Sequence, residues 1–290
     1  MESCLQVSKN YRHFCLYRKI LIQYIRRRNL ASPIWNALLL KKCGSSKVRL
    51  EPTMEGWIVP PPKQPEKSRE ELRTEREEKV KWLIRHGFLR SERIKNAMLK
   101  VPREDFIPPS YKDYAYLEVP LPLPGENATI SCPHSYPLFY EPLGLDRGHK
   151  FLEVGLGSGY GTALAREVVG NEGLVVSVEI DPLTFEFAKG NLDIAGYHDI
   201  MLVRKDGGLG YPEMSPYDRI CVTAACEEVP SPLMEQLEIG GKLIAPITEY
   251  GVQTLVLFEK EEKEVKQKAI CAVLYVFLRG EYGVKRGENG

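Results

Sequence analysis

Apolar positions along this chain follow two rhythms, one helical and one extended. Ser68 and Glu71 have the spacing of a capping box, and Leu72, Val80, Leu83 and Ile84 then recur at helical intervals as far as Gly87. That spacing predicts a first helix. A second is predicted to begin near Ser91, to place Ile94, Ala97, Met98 and Val101 on one face, and to end before Pro102. The proline-rich stretch from 102 to 128 reads as irregular, closely packed loop. From Lys150 the pattern changes to short β-rich runs separated by helical stretches: FLEV, LVVSVE, IMLVRK, RICVTA, KLIAPI, TLVLFE and AVLYVFL. Strands alternating with helices predict an α/β fold, a doubly wound and mostly parallel seven-stranded sheet. Only the charged, turn-like EKEEKEVKQK separates the last two runs, too little for a crossover helix, so they are expected to form an antiparallel C-terminal hairpin at the sheet edge.

The first 50 residues differ from this pattern. Glu2 is their only acid, while basic residues recur through RK, RRR and KK. Three readings fit: a transit peptide, a basic arm for nucleic acid or anionic lipid, or sequence upstream of a true start at Met54. The expected organisation is a disordered basic extension and proline-rich linker over 1–67, a helical and substrate-loop segment over 68–149, and a cofactor-binding domain over 150–290. The apolar run from Ile20 to Ile25 contains Gln23 and falls far short of the roughly 20 residues a membrane span needs.

Composition narrows the class without choosing a partner. Apolar residues make up 43%, charged residues 27%, and the formal net charge is +1, so nothing in the whole molecule favours nucleic acid or membrane. The seven cysteines, at positions 4, 15, 43, 132, 221, 226 and 271, never form CxxC. Neither a disulfide framework nor a zinc ribbon is suggested, and a reducing cytoplasm is the expected setting.

Chemistry concentrates where the first long strand ends. Glu153-Val154-Gly155-Leu156-Gly157-Ser158-Gly159 precedes an alanine-rich helix, and glycines there let a ligand approach the backbone and the free helix amides. The spacing is GxGxG rather than the GxGxxG of dinucleotide binders, and GxGxG is what binders of S-adenosylmethionine more often show. The second strand ends in Glu179, where an acid is wanted to accept from both ribose hydroxyls. Asp206, followed by Gly207 and Gly208, is a candidate for the adenine amino group or else a plain turn former. Asp181 before Pro182 reads as a helix N-cap.

The motifs VPREDFIP, TISCPH, LEVGLGSGYGTALA, VSVEID, DGGLG, PYDRICVTAACEEVP with PLMEQLEIGGKLIAPI, and VLYVFLRGEYG stand in an order that resembles the protein-L-isoaspartate (D-aspartate) O-methyltransferases. The resemblance covers about residues 90 to 284. It implies a Rossmann-like class I fold and S-adenosyl-L-methionine as methyl donor. The implied acceptor is the free carboxylate of an L-isoaspartyl or D-aspartyl residue in a damaged protein. Esterification makes a better leaving group, so the neighbouring backbone amide closes a succinimide that reopens partly to normal aspartate. The implied donor-site residues are Gly155, Gly157, Ser158, Gly159, Glu179, Asp206 and Gly207. The implied substrate slot is Thr129, Ile130, Thr223 and Ala224, with Ser131 placing the carboxylate.

A carboxylate is already ionised at neutral pH and a sulfonium is already activated, so the reaction demands neither a general base nor a metal. Cys132 is therefore not needed as a nucleophile, and His134 is read as structural. Cys221 is mid-strand and reads as core. Before TIS the family usually has glycine, any residue, glycine and glutamine; this chain has Gly125-Glu126-Asn127-Ala128. Pro137 and Pro142 are expected to break or kink the helix after His134. Three other functions compete: methylation of another carboxylate in a specific peptide or protein, a cofactor-binding adaptor without turnover, and an RNA methyltransferase using the basic arm. No NPPY-like tetrad, paired strand-end cysteines or aromatic-interleaved basic patch supports the last. A monomer that contacts neither nucleic acid nor membrane is expected.

Overall fold

The computed structural model describes residues 51–52 and 58–283, so the expectations for the basic N-terminal extension lie almost wholly outside the described residues. A two-residue ribbon pairs β1 (Glu51–Pro52) with β2 (Ile58–Val59). The proline-rich stretch that follows forms no helix or strand, yet it is tied down. The backbone amides of Glu66 and Lys67 donate to the Asp113 carboxylate at 2.9 and 3.1 Å, and Lys63 pairs with the same group at 2.8 Å.

Helix α1 (Arg69–Arg85) starts on the expected capping box, with Ser68 Oγ accepting from the Glu71 amide and the Glu71 carboxylate accepting from the Ser68 amide. It buries Leu72, Val80 and Leu83. Ile84, expected on the same face, is 43% exposed, because it lies one step past the buried stripe on a groove between α1 and α2. Helix α2 (Glu92–Lys100) has Ser91 as N-cap and buries Ile94, Ala97 and Met98 as its spacing predicts. After the proline-rich loop come β3 (Leu121–Pro122) and β4 (Thr129–Ile130), which pair as an antiparallel ribbon. Helix α3 (Ser135–Leu143) is intact despite its prolines. Pro137 lies in the first turn, where an amide has no intrahelical partner to lose, and Pro142 lies one residue from the end.

The large sheet consists of β5 (Lys150–Val154), β6 (Leu174–Glu179), β7 (Met201–Arg204), β8 (Tyr217–Val222), β9 (Leu237–Glu249), β10 (Val252–Lys260) and β11 (Val265–Val273). Its order is β11-β10-β9-β8-β5-β6-β7, parallel from β9 to β7 and antiparallel at β10 and β11. The edge hairpin is present, but its second strand lies earlier than the sequence pattern placed it. The charged residues read as a turn are largely strand, and only Ala272 and Val273 of the AVLYVFL run belong to it. The rest of that run crosses to the segment just past the end of β8, where Ala225 bridges Phe277.

Helices α4 (Tyr160–Val169), α5 (Pro182–Ile194) and α6 (Ser231–Glu235) complete the fold. One apolar cluster joins Val80, Leu83, Ile94 and Met98 to Phe151, Leu164 and Val168; the other face of the sheet is covered through Leu152, Val176, Ile220, Leu243 and Leu233. Side chains of β5 alternate between these two cores, as a sheet covered on both faces requires. No helix among the described residues is long and apolar enough to cross a membrane.

Glu153 is the polar exception within β5. Its carboxylate is buried and accepts from Thr162 Oγ1 on α4 and from Ser177 Oγ on β6, the latter at 2.9 Å. Burial pushes this acid up to about 7, against the pull of the two hydroxyls, and Glu179 adds to the rise. Below about pH 4.5 the folded and unfolded chains both hold the proton, so the shift costs nothing. As pH rises from there through 7 the unfolded chain ionises first and stability falls, by up to about 3 kcal/mol. Glu153→Gln keeps an acceptor without the titration. Urea unfolding of both proteins from pH 5 to 8 is therefore expected to move in the variant's favour as pH rises; parallel curves would contradict the buried-acid account.

Candidate active site at the switch point of the sheet

The strand order reverses between β5 and β8, and ligands of open α/β sheets collect beyond the carboxyl ends of strands at such a point. Gly155, Gly157 and Gly159 all have positive φ, at 97°, 57° and 84°. A Cβ on Gly155 would lie 2.3 Å from Thr223 Oγ1, so close approach and conformation both require glycine there. A Cβ on Gly157 would meet nothing nearer than the Thr129 carbonyl at 3.9 Å, which leaves an open cradle facing the TIS segment. Ser158 supports this turn from behind: its Oγ accepts from the Tyr160 amide at 3.3 Å and its carbonyl accepts from Asn191 at 3.0 Å.

Glu179, at the end of β6, accepts from the Gly157 amide at 3.2 Å with one oxygen and from the Ile180 and Asp181 amides with the other. Burial raises its pKa while these amides lower it. The result is an acceptor fixed at the rim of the glycine turn with lone pairs to spare, which fits a ligand carrying vicinal hydroxyls. Asp181 is the N-cap of α5, as expected, accepting from Leu183 and Thr184.

Asp206 sits past β7, but its oxygens accept from the amides of Gly208 and Glu281 at 2.9 and 2.7 Å. The room cleared by Gly207 and Gly208 is filled by Val154 and Tyr282. Asp206 thus anchors the segment around Glu281 to the turn that follows β7. Arg279 of that segment pairs with Glu126 at 3.1 Å and Asp181 at 3.4 Å, closing a contact between the chain end and the loop before TIS. Thr223 donates to the Val154 or Gly155 carbonyl, at 3.0 Å in either case, and Ala224 follows it.

The TIS turn faces the glycine cradle from the β3–β4 ribbon. Its fixed point is Arg103, a buried residue to which the sequence reading assigned no role. Arg103 Nη2 donates to the Ser131 carbonyl at 2.7 Å and Nε donates to the Ala115 carbonyl at 2.7 Å, with the rings of Tyr136 and Tyr160 against the guanidinium. The Ser131 main chain is held, while no hydrogen bond joins Ser131 Oγ to another described residue. The only sequence signal for Arg103 was its place inside VPREDFIP.

Cys132 and His134 face away from proton or nucleophile chemistry. Burial, and after it the Glu118 carboxylate, push the Cys132 thiol up to about 12, so it is not a thiolate at neutral pH. His134 Nδ1 is bonded to Glu118, which also accepts from Lys79 at 3.0 Å. Burial opposes ionisation of Glu118, but contacts with His134 and Lys79 hold its carboxyl down at about 2. In the loop before TIS, Asn127 adopts φ 55° at the position where the resemblance calls for a glycine. Asparagine is among the few residues with a side chain that tolerate this region, so the turn survives the loss of the glycine.

The model of the protein-L-isoaspartate (D-aspartate) O-methyltransferase family matches residues 74–283. The chain is similar to a protein-L-isoaspartate O-methyltransferase of Staphylothermus marinus, with 42% identity over 224 residues, covering 75% of this chain and 99% of that one. Among solved structures it is similar to a protein-L-isoaspartate O-methyltransferase at TM-score 0.67 and 37% identity, covering 72% of this chain and 67% of that one. A structure from Plasmodium falciparum assigned to the same activity, in complex with S-adenosyl-L-homocysteine, gives TM-score 0.64 and 25% identity, covering 70% of this chain and 98% of that one.

Two substitutions test how the turn is held. Arg103→Met orphans two carbonyl acceptors, the buried one at Ala115 at a cost of roughly 1–3 kcal/mol and the half-buried one at Ser131 at less. It is expected to lower the melting temperature and to displace Ser131, and a thermal melt matching the unsubstituted protein would exclude the role given to Arg103. Asn127→Gly is expected to be nearly neutral, whereas Asn127→Val costs about 1–2 kcal/mol for a left-handed residue, measurable by urea unfolding.

Proposed function

The chain belongs to the protein-L-isoaspartate (D-aspartate) O-methyltransferase family, and from that premise we propose how its own residues carry out the transfer. The protein is an S-adenosyl-L-methionine-dependent methyltransferase that esterifies isoaspartyl residues and so starts their repair. When bound, S-adenosyl-L-methionine supplies a methyl group on an already activated sulfonium. Gly155, Gly157 and Gly159 admit it to the backbone, Ser158 braces their turn, and Glu179 accepts from its ribose hydroxyls. Asp206 and Gly207 border the far side of the same pocket, and Asp206 holds the segment around Glu281 beside it.

The observation that carries the acceptor side is the division of labour at Ser131: Arg103 holds its carbonyl at 2.7 Å while its hydroxyl has no bond to a described residue. That hydroxyl donates to one oxygen of the substrate carboxylate, leaving the other to attack the methyl. Thr129 and Ile130 form the near wall, and Thr223 and Ala224 the wall at the end of β8. A hydroxyl suits this task because it orients the anion without neutralising it, and the rate gain comes from alignment of nucleophile and methyl. D-aspartyl acceptors, a monomeric state and a cytoplasmic setting belong to the same reading, the last supported by four described cysteines that are all free thiols.

Labelled methyl transfer to an isoaspartyl peptide, run beside its normal aspartyl twin, tests the reading. Only the isoaspartyl peptide is expected to be labelled; equal labelling would falsify the repair reading. Ser131→Ala is expected to lower turnover by about 10-fold or more, a lost charge-assisted hydrogen bond being worth roughly 1.5–3 kcal/mol, with donor affinity nearly intact. Glu179→Ala is expected to weaken donor binding in a calorimetric titration first. A kinetically silent Ser131→Ala would remove Ser131 from the mechanism.

A further inference from the structure

Behind the TIS turn lies a group that methyl transfer does not use. One carboxylate oxygen of Glu118, the sulfur of Cys132 and one ring nitrogen of His134 lie within 4.8 Å of one another, all on half-buried side chains. Carboxylate, thiolate and imidazole together are the donor set of zinc and cobalt, whereas magnesium and calcium take oxygen ligands. We propose that Glu118, Cys132 and His134 form a binding site for a thiophilic divalent cation of the zinc class, with the fourth position left to water.

Zinc–ligand distances of about 2.0–2.3 Å place tetrahedral ligands roughly 3.3–3.8 Å apart. The three atoms therefore reach bonding positions by side-chain adjustment, without moving an element. Lys79 Nζ, 3.0 Å from Glu118 Oε1, fixes that carboxylate and leaves Oε2 toward His134. The same ammonium repels an incoming cation, so occupancy is reversible rather than permanent. The Phe88 ring, its centroid 5.2 Å from that of His134, forms an apolar wall. On binding, the His134–Glu118 hydrogen bond breaks and the ring nitrogen gives up its proton, the Cys132 S–H bond breaks, bonds from nitrogen, oxygen and sulfur to the metal form, and the released protons leave to solvent, so binding strengthens as pH rises.

Cys132 follows Ser131 directly, and a metal bond to its sulfur constrains the backbone that presents the Ser131 hydroxyl. Resting on the placement of Ser131 in the substrate slot, occupancy is a brake on methyl transfer. No metal takes part in the reaction itself.

The test uses the full chain after chelator treatment, titrated with cobalt(II) for spectra and zinc(II) for stoichiometry. Thiolate-to-cobalt charge-transfer absorption is expected in the unsubstituted protein. Cys132→Ser, which keeps the size of the side chain, and His134→Ala are each expected to lose it together with one equivalent of zinc, while Cys226→Ala retains both. If Cys132→Ser binds as much metal as the unsubstituted chain, or no thiolate band forms at tenfold excess cobalt, the site is overturned. Zinc is expected to slow transfer to an isoaspartyl peptide at least tenfold, reversibly with chelator, and Cys132→Ser is expected to resist it. Zinc bound at this site without inhibition overturns the brake and leaves the site standing. A silent Ser131→Ala would instead remove Ser131 from the mechanism, so the failures are distinguishable.

Discussion

A buried guanidinium with no carboxylate to pair with is the constraint on which this architecture turns. Among the described residues no ion pair involves Arg103. Its charge is spread over two backbone carbonyls and two aromatic faces, a form of solvation suited to a planar, weakly hydrated cation. The two carbonyls belong to Ala115 in the proline-rich loop and Ser131 in the TIS turn, and Tyr160 opens the helix that follows the glycine turn. One side chain thus sets the relative position of three segments that no regular hydrogen-bond ladder joins.

The acids of the site divide by environment. Glu153, fully enclosed and facing two hydroxyls, is raised toward neutrality, whereas Glu118 next to His134 and Lys79 is held ionised. Glu179 is also raised by burial, which three amides oppose. Among the described residues no cation is in direct contact with the Glu179 carboxyl group, so its remaining lone pairs are not taken by an ion pair. The neighbouring Asp181 takes the Arg279 guanidinium instead, and with it the closure between the chain end and the loop over 124–127.

The parallel strands were legible because strands buried on both faces read as unbroken apolar runs, and the glycine turn with its distant acid was legible because both obey backbone geometry. Strand β11 was misplaced for the opposite reason: its first five residues are exposed, and the alternating lysines of VKQKA look like a turn to any reading that follows hydrophobicity. Arg103 escaped because nothing in sequence separates a buried arginine from the surface kind until the carbonyls it serves are known. The Glu118–His134 pair is 16 residues apart across irregular chain, and no periodicity announces such a contact. Asp206 accepts from the Glu281 amide, a contact that depends on the later chain folding back, a long-range event invisible at Asp206 itself.

The exposed lysines of β11 matter for the company this protein keeps. A sheet edge offers a row of unpaired amides and carbonyls to any extended chain that passes. Isoaspartyl residues arise in worn, loosened polypeptides, so an enzyme that searches among them meets extended segments constantly. At one edge Lys266 and Lys268 project charge along β11, and at the other β7 is only four residues long. Both features make the sheet a poor template for strand addition. Such edges leave an extended damaged chain little to pair with along the sheet.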